Sequence, residues 1–199
     1  PEALRAKYGV SDRGWNYGCD VVNWVNNVSC MPEDDDVNYT ILALKLLERS
    51  GPGFTGEDVA LRWLMDLPAL HTFTAERVAY RNILNGVFPP ASAAYRNPCR
   101  EWNGAQIRGD FFGYIHPGRP EAAAAMAYRD GTVSHTKNGV YGEMFVAAML
   151  SAAAAGCGAE EILRQGLAQI PERCRLSGAV RQVLEWHRAG IGWKDAVDS

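Results

Sequence analysis

The stretch that decides the fold is NGVYGEMFVAAMLSAAAA, which spans residues 138–155. Its apolar residues recur at the spacing of one helical face, at Tyr141, Met144, Phe145, Ala148 and Met149. The run Ala152–Ala155 at its end, like Ala122–Ala125 upstream, favours helices that approach one another closely. This stretch therefore predicts a closely packed helix.

The same period continues through most of the chain after Asn38, for example at Val59, Ala60, Trp63, Leu64 and Leu67. It predicts helices near residues 38–49, 57–67, 74–85, 104–113, 120–130, 138–155, 159–169 and 177–188. Residues placed for N-caps are Thr55, Thr74 and Ser177, and glycines follow helix ends at Gly51, Gly86, Gly156 and Gly190. Only the Val21–Val28 region has the alternation of a short strand. The fold class predicted is all-α.

Composition narrows the range of functions. The 199 residues are 47% hydrophobic and 22% charged, which is typical of a globular chain and argues against disorder. A formal charge of -3 gives no basic field for nucleic acid, which is therefore not an expected partner. No apolar run reaches the ~20 residues of a membrane helix. We expect one all-α domain over 1–199, with residues 1–30 irregular.

Five widely spaced cysteines, with no C-x-x-C pair, indicate neither a zinc ribbon nor a thioredoxin-type motif. They favour a reducing compartment, and we expect a cytoplasmic protein. A thiol nucleophile at Cys99 is a remote alternative, because no neighbouring feature activates it.

An acidic turn, Glu33-Asp34-Asp35-Asp36, directly precedes the first predicted helix. Four adjacent carboxylates repel one another, and a cation or solvent relieves that repulsion. Mg²⁺ and Mn²⁺ prefer oxygen ligands, so a metal site is one interpretation. The other is that these acids cap the helix and meet the positive end of its dipole.

Two later segments are also candidates. In the segment Asn97–Arg108, an Asn103-Gly104 turn leads into a helical pattern. Unpaired backbone amides at this helix start could bind phosphate, and Arg108 could pair with an anion. The alternative is an ordinary junction between a loop and a helix. In Ser134–Met144, polar residues and glycines surround a helix start, which suits either a ligand pocket or a capped helix with a hydrogen-bonded histidine.

The chain resembles the ADP-ribosylglycohydrolase family in three motifs that occur in the same order. These motifs are the acidic turn, Asn-Gly-Ala-x-Ile-Arg and Ser-His-x-x-Asn-Gly-x-Tyr-Gly. That family includes the dinitrogenase reductase-activating glycohydrolases and the ADP-ribosyl-acceptor hydrolases, and the resemblance runs from about residue 31 to 155. It implies a compact, orthogonal multi-helix bundle. It also implies a hydrolase that cleaves the glycosidic bond between ADP-ribose and an acceptor, with two Mg²⁺ or Mn²⁺ ions in the complete protein. The substrate would be an ADP-ribosylated protein or small molecule.

The resemblance also assigns residues. The metal motif falls on Glu33, Asp34 and Asp35, or, one residue later, on Asp34, Asp35 and Asp36. Asp34 and Asp35 would hold the ion, and Glu33 would be a further ligand or a general base. Residues of the implied substrate cleft are Asn103, Gly104, Arg108, His135, Asn138, Gly139 and Tyr141.

Two family elements have no counterpart: the Gly-Asp-Ala-x-Gly opening helix and the later Asp-x-Asp-Thr motif. The resemblance therefore implies a central piece of a longer protein, truncated at both ends, whose activity alone is open. A non-catalytic module that binds ADP-ribose or a nucleotide, or a structural relative, is the alternative function.

Overall fold

The computed structural model describes residues 34–198, and every regular element in that range is a helix. The predicted all-α class is confirmed. The α-helices are α1 (Asp35–Ser50), α2 (Gly56–Asp66), α3 (Thr74–Leu84), α4 (Ala91–Ala94), α5 (Asp110–Tyr114), α6 (Pro120–Gly131), α7 (Asn138–Ala154), α8 (Ala159–Ala168), α9 (Arg175–Arg188) and α10 (Trp193–Val197). Two 3₁₀-helices, Ala69–His71 and Asn103–Arg108, complete the set.

Helix α7 is the centre of the packing, since it contacts α5, α6, α8, α9 and the 3₁₀-helix Asn103–Arg108. Small residues allow this close approach. A Cβ added at Gly113 would lie 2.5 Å from Cβ of Leu150, so α5 can rest on α7 only with glycine there. The alanines buried in α6 and α7, among them Ala123, Ala127 and Ala147, agree with the close approach that the alanine runs predict.

A hydrophobic core joins α1, α2, α3, α5, α6 and α7 around the fully buried side chains of Leu46, Trp63 and Phe112. Residues Asp35–Ser199 form one compact unit. Within residues 34–198, no helix combines the length and apolar character that crossing a membrane requires. The possible strand at Val21–Val28 and the irregular segment 1–30 lie outside the described residues.

The predicted helix ends are mostly confirmed. Thr55 forms a capping box with Asp58: the Thr55 amide donates to Asp58 Oδ2 at 2.7 Å, and the Asp58 amide donates to Thr55 Oγ1 at 3.3 Å. The glycines that follow helix ends have positive φ angles, at Gly51, Gly86, Gly156 and Gly190.

Three local predictions are wrong. Phe73, not Thr74, is the N-cap of α3, and Thr74 is already helical. Cys174, not Ser177, caps α9, because its Sγ accepts from the Ser177 amide at 3.3 Å and the helix starts two residues earlier. The single helix predicted over 104–113 is a 3₁₀-helix followed by α5, with a break at Gly109.

Candidate functional site

The acidic turn forms the start of α1. Asp35 and Asp36 occupy its first turn, and Asp34 directly precedes it. One carboxylate oxygen of each lies within 4.8 Å of the others, with Asp34 and Asp36 exposed and Asp35 half-buried. Clustered carboxylate oxygens of this kind fit the ligand preference of Mg²⁺ and Mn²⁺. Glu33 lies outside the described residues, so these three carboxylates are the part of the predicted motif that the structure places.

A groove of about 480 Å³ runs beside this turn. Its polar lining consists of Asp36, Thr40, Gln106 and Asp110, and its apolar lining of Val37, Ile41 and Ile107. Asp110 is fixed in orientation, because Thr40 Oγ1 donates to its Oδ2 at 2.9 Å and the Phe111 amide to its Oδ1 at 2.6 Å. The groove therefore places a fourth carboxylate near the turn, one that the motif analysis did not identify.

A second, larger cleft of about 570 Å³ lies around the 3₁₀-helix Asn103–Arg108. It is lined by Pro98, Arg100, Glu101, Trp102, Asn103, Gln106, Asn138, Arg175, Leu176 and Ala179. Gln106 also lines the groove beside the acidic turn, so the two depressions adjoin at this side chain. In a 3₁₀-helix, residues three apart share a face, which is why Asn103 and Gln106 both face the cleft.

Glu101 connects three segments at this cleft. Its Oε2 accepts from Arg175 NH2 at 2.7 Å and from Asn138 Nδ2 at 3.2 Å, and Lys137 Nζ lies 3.8 Å from its Oε1. The hydrogen bond from Asn138 and the interactions with Arg175 and Lys137 lower the pKa of Glu101. Asn138 is fixed at its other end as well, since its Oδ1 accepts from the Leu176 amide at 3.2 Å.

Behind the cleft lies a buried charge network centred on Arg108, which is 2% exposed. Its Nε donates to Asp130 at 2.6 Å, and its NH1 to Glu76 at 3.2 Å and to Ser134 Oγ at 2.8 Å. Glu143 lies 3.5 Å from its NH2. The guanidinium also faces the aromatic rings of Tyr39 and Trp63, at 5.3 and 5.1 Å from their centroids.

Burial sets the protonation of this network. It raises the pKa of Glu143 well above its ordinary value, and the charge of Asp130 raises it further, against the opposing effect of Arg108. Burial likewise raises the pKa of Glu76. Burial and Arg108 lower the pKa of His135 to about 3, so this imidazole is neutral at pH 7. Within residues 34–198, neither Glu143 oxygen accepts a hydrogen bond, and a hydrogen bond to Asp130 also favours the protonated form of Glu143.

Close contacts in the buried network and at the cleft wall explain why four positions are glycine. A Cβ at Gly104 would lie 2.7 Å from both Glu76 oxygens, and one at Gly131 would lie 2.7 Å from Glu143 Oε2. A Cβ at Gly139 would lie 2.7 Å from Cδ2 of His135. At Gly142 it would lie 2.6 Å from the Gln106 amide nitrogen. The glycines thus let the buried network and the cleft wall pack directly together.

The residues predicted for the substrate cleft therefore divide into three groups. Asn103 and Asn138 line the cleft, with Gly104 beside them. Arg108 and His135 are buried in the network, where Ser134 Oγ lies 2.8 Å from both Arg108 NH1 and His135 Nδ1. Gly139 packs on His135, and Tyr141 is half-buried in the first turn of α7.

Several site residues escaped the sequence analysis. Gln106 lay inside a quoted motif, and a 3₁₀ rather than α-helical period would have aligned it with Asn103. Glu101 lies in the same segment 97–108, two residues before Asn103. Glu76 and Asp130 carried no local signal, because their partner Arg108 is distant in sequence.

Comparison with known protein families gives a match that covers most of the chain. The sequence model of the family described as ADP-ribosylglycohydrolase matches residues 11–198, well beyond the segment 31–155 on which the resemblance rests. Neither the curated proteins nor the solved structures give a match. A match over nearly the whole chain, on an all-α fold, is sufficient for assignment: the chain belongs to the ADP-ribosylglycohydrolase family, a family of hydrolases.

Proposed function

We propose that this protein hydrolyses the glycosidic bond between ADP-ribose and an acceptor in a reaction that depends on Mg²⁺ or Mn²⁺. The observation that carries the proposal is the adjacency of two depressions. One borders the acidic turn, the other is lined by Asn103 and Asn138, and Gln106 lines both. A substrate held in the cleft can therefore extend toward the carboxylates.

The carboxylates of Asp34, Asp35 and Asp36 are the groups that would hold a divalent cation, because their oxygens cluster within 4.8 Å. Such an ion, when bound, supplies positive charge that stabilises oxygen anions near the ribose. Glu33 keeps its proposed role as a further ligand or general base. Asp110, oriented by Thr40, adds negative charge along the same groove.

Cleavage of a glycosidic bond at the anomeric carbon passes through a state with oxocarbenium character. The bond from that carbon to the acceptor breaks, and the oxygen of water bonds to the carbon. A carboxylate accepts a proton from the water, and this proton passes to the acceptor, which leaves protonated. Carboxylates beside the ribose stabilise the positive charge of this state. The amide of Asn103 can donate to and accept from ribose hydroxyls, and so orient the sugar. Asn138 lines the same cleft, with its amide held by Glu101 and the Leu176 backbone.

Arg108 and His135 act indirectly in this proposal. Both are too buried to contact a ligand in the cleft. Arg108 binds Glu76, which lies against Gly104, and His135 lies against Gly139. They are therefore positioning residues that fix the backbone of the two cleft segments.

The test is release of ADP-ribose from arginine-linked and serine-linked ADP-ribosylated peptides, with Mg²⁺, with Mn²⁺ and with chelator. We expect release only with metal and its loss in Asp35→Asn. Glu57→Gln removes an acid from the first turn of α2 and should leave release unchanged. Full turnover by Asp35→Asn with the metal still required would refute the assignment. Binding of ADP-ribose without release in any condition would favour the non-catalytic alternative.

A further inference from the structure

We infer that Glu101 is a resident counter-anion whose carboxylate holds the place in the cleft that a phosphate group of the ligand takes. The inference rests on the proposed function, because it concerns a phosphorylated ligand of the same cleft. It adds a residue, Glu101, that competes with the ligand for the cation Arg175.

The contacts of Glu101 are those of a bound anion. A guanidinium at 2.7 Å, a side-chain amide at 3.2 Å and an ammonium group at 3.8 Å converge on one carboxylate. Arginine is the preferred partner of both carboxylate and phosphate, because its planar donors match either group. The donors that hold Glu101 are therefore chemically able to hold a phosphate oxygen.

Charge at the cleft supports an anionic ligand. Arg175 and Lys137 contact Glu101, and Arg100 lines the same cleft, whose lining residues include a single carboxylate, Glu101. The chain as a whole has a formal charge of -3, so this rim differs in sign from the average surface. Displacement of Glu101 by a phosphate would leave the cations neutralised by the ligand.

The resident ion pair is easily broken. The side chains of Arg175 and Lys137 are 78% and 72% exposed, and solvent-exposed ion pairs contribute little to stability. Arg175 can thus exchange Glu101 for a phosphate without disturbing the core. Glu101→Gln keeps an oxygen that accepts from Asn138 Nδ2 but removes the charge, so this variant isolates the competition from the hydrogen bond.

The experiment measures the Kd of inorganic pyrophosphate by calorimetry for the wild type and for Glu101→Gln, Arg175→Met and the double variant. We expect Glu101→Gln to tighten pyrophosphate binding about two- to fivefold, as removal of one exposed charge allows. Arg175→Met should weaken it, and in the double variant the gain should disappear, since the two effects act through one pair. Glu172→Gln, which removes an exposed acid near Arg181, is the matched control.

The ligand ADP-ribose separates this inference from the proposed function. Suppose that ADP-ribose binds, and that Glu101→Gln binds both pyrophosphate and ADP-ribose no more tightly than the wild type does. The counter-anion role of Glu101 is then overturned, and the proposed function stands. If ADP-ribose does not bind any variant, the proposed function fails, and tighter pyrophosphate binding by Glu101→Gln would still support the role of Glu101. Adenosine, which lacks phosphate, should bind the wild type and Glu101→Gln equally; a gain for adenosine as large as that for pyrophosphate would overturn the inference.

Discussion

The carboxylate of Glu76 lies directly against the Cα of Gly104, so a Cβ at position 104 would come within 2.7 Å of both its oxygens. Glu76 cannot retreat freely, because Arg108 NH1 holds it at 3.2 Å from the buried side. The cleft-forming turn Asn103-Gly104 and the charge network are thus in van der Waals contact. Any change in the network is transmitted to the cleft wall.

Gly104→Ala should therefore destabilise the protein by about 1–3 kcal/mol, the usual cost of inserting an atom into a packed site. It should also weaken ADP-ribose binding, since the turn must shift. Denaturant unfolding and calorimetry measure the two effects. Gly178→Ala is the control, because a Cβ there meets nothing within 4 Å in α9, and it should be neutral or stabilise by about 0.5–1 kcal/mol. Equal behaviour of both variants would contradict the role of this contact.

Glu143→Gln and Asp130→Asn should differ in their cost to stability. Burial raises the pKa of Glu143 and so favours its neutral form, so replacement by the neutral amide of glutamine should cost less than the loss of an ionised partner. Asp130→Asn removes the anion 2.6 Å from Arg108 and should cost about 3–5 kcal/mol, as breaking a buried ion pair does. Unfolding free energies at pH 7 provide the comparison. A larger loss for Glu143→Gln than for Asp130→Asn would mean that Glu143 is the ionised partner.

The pH dependence of stability in Glu143→Gln, compared with the wild type, tests whether Glu143 holds a proton. A carboxyl whose folded pKa is raised contributes stability below its unfolded pKa, near 4.5, and loses that contribution as pH rises toward its folded pKa. As the pH rises from 4.5 toward the folded pKa, the wild type should therefore lose stability relative to Glu143→Gln, by at most about 1.4 kcal/mol per pH unit. A difference that stays flat over this range would show that Glu143 does not hold a proton.

His135 should produce the opposite slope. Its pKa falls from 6.5 to about 3 in the folded protein, so the unfolded chain binds a proton first as the solution is acidified. The stability that neutral His135 contributes is complete above pH 6.5 and is lost as pH falls toward 3. Relative to His135→Asn, the wild type should lose stability between pH 6.5 and 4.5. Parallel curves for the two proteins would contradict burial of the neutral ring.

Trp102 offers a test of the cleft itself. Its side chain is 56% exposed although it lines the cleft, which makes it available for stacking against an adenine base. Trp102→Ala should weaken ADP-ribose binding about tenfold and leave stability unchanged, because base stacking contributes roughly 1–3 kcal/mol. Trp193→Ala, at an exposed tryptophan of α10, should change neither property. Calorimetry and thermal unfolding distinguish the two positions.

The sequence predicted the helices well, because their apolar periods are long and glycines end them. It also located the acidic turn, which needs only adjacent residues. The buried network was not predicted, since Glu76, Asp130 and Glu143 come from three helices that meet only in the folded chain. The burial of Arg108 is the clearest example: an arginine beside a polar turn suggests a ligand contact, yet its partners are internal acids.

The network around Arg108 also bears on how the chain must assemble. Its ionic partners, Glu76 in α3 and Asp130 in α6, lie on either side of it in the chain, so the guanidinium is compensated only when segments distant in sequence have met. An intermediate that lacks α6 would enclose the guanidinium without the anion of Asp130, which costs several kcal/mol. Partly assembled states are thereby penalised, and residues 76–130 are expected to fold in one cooperative transition rather than helix by helix.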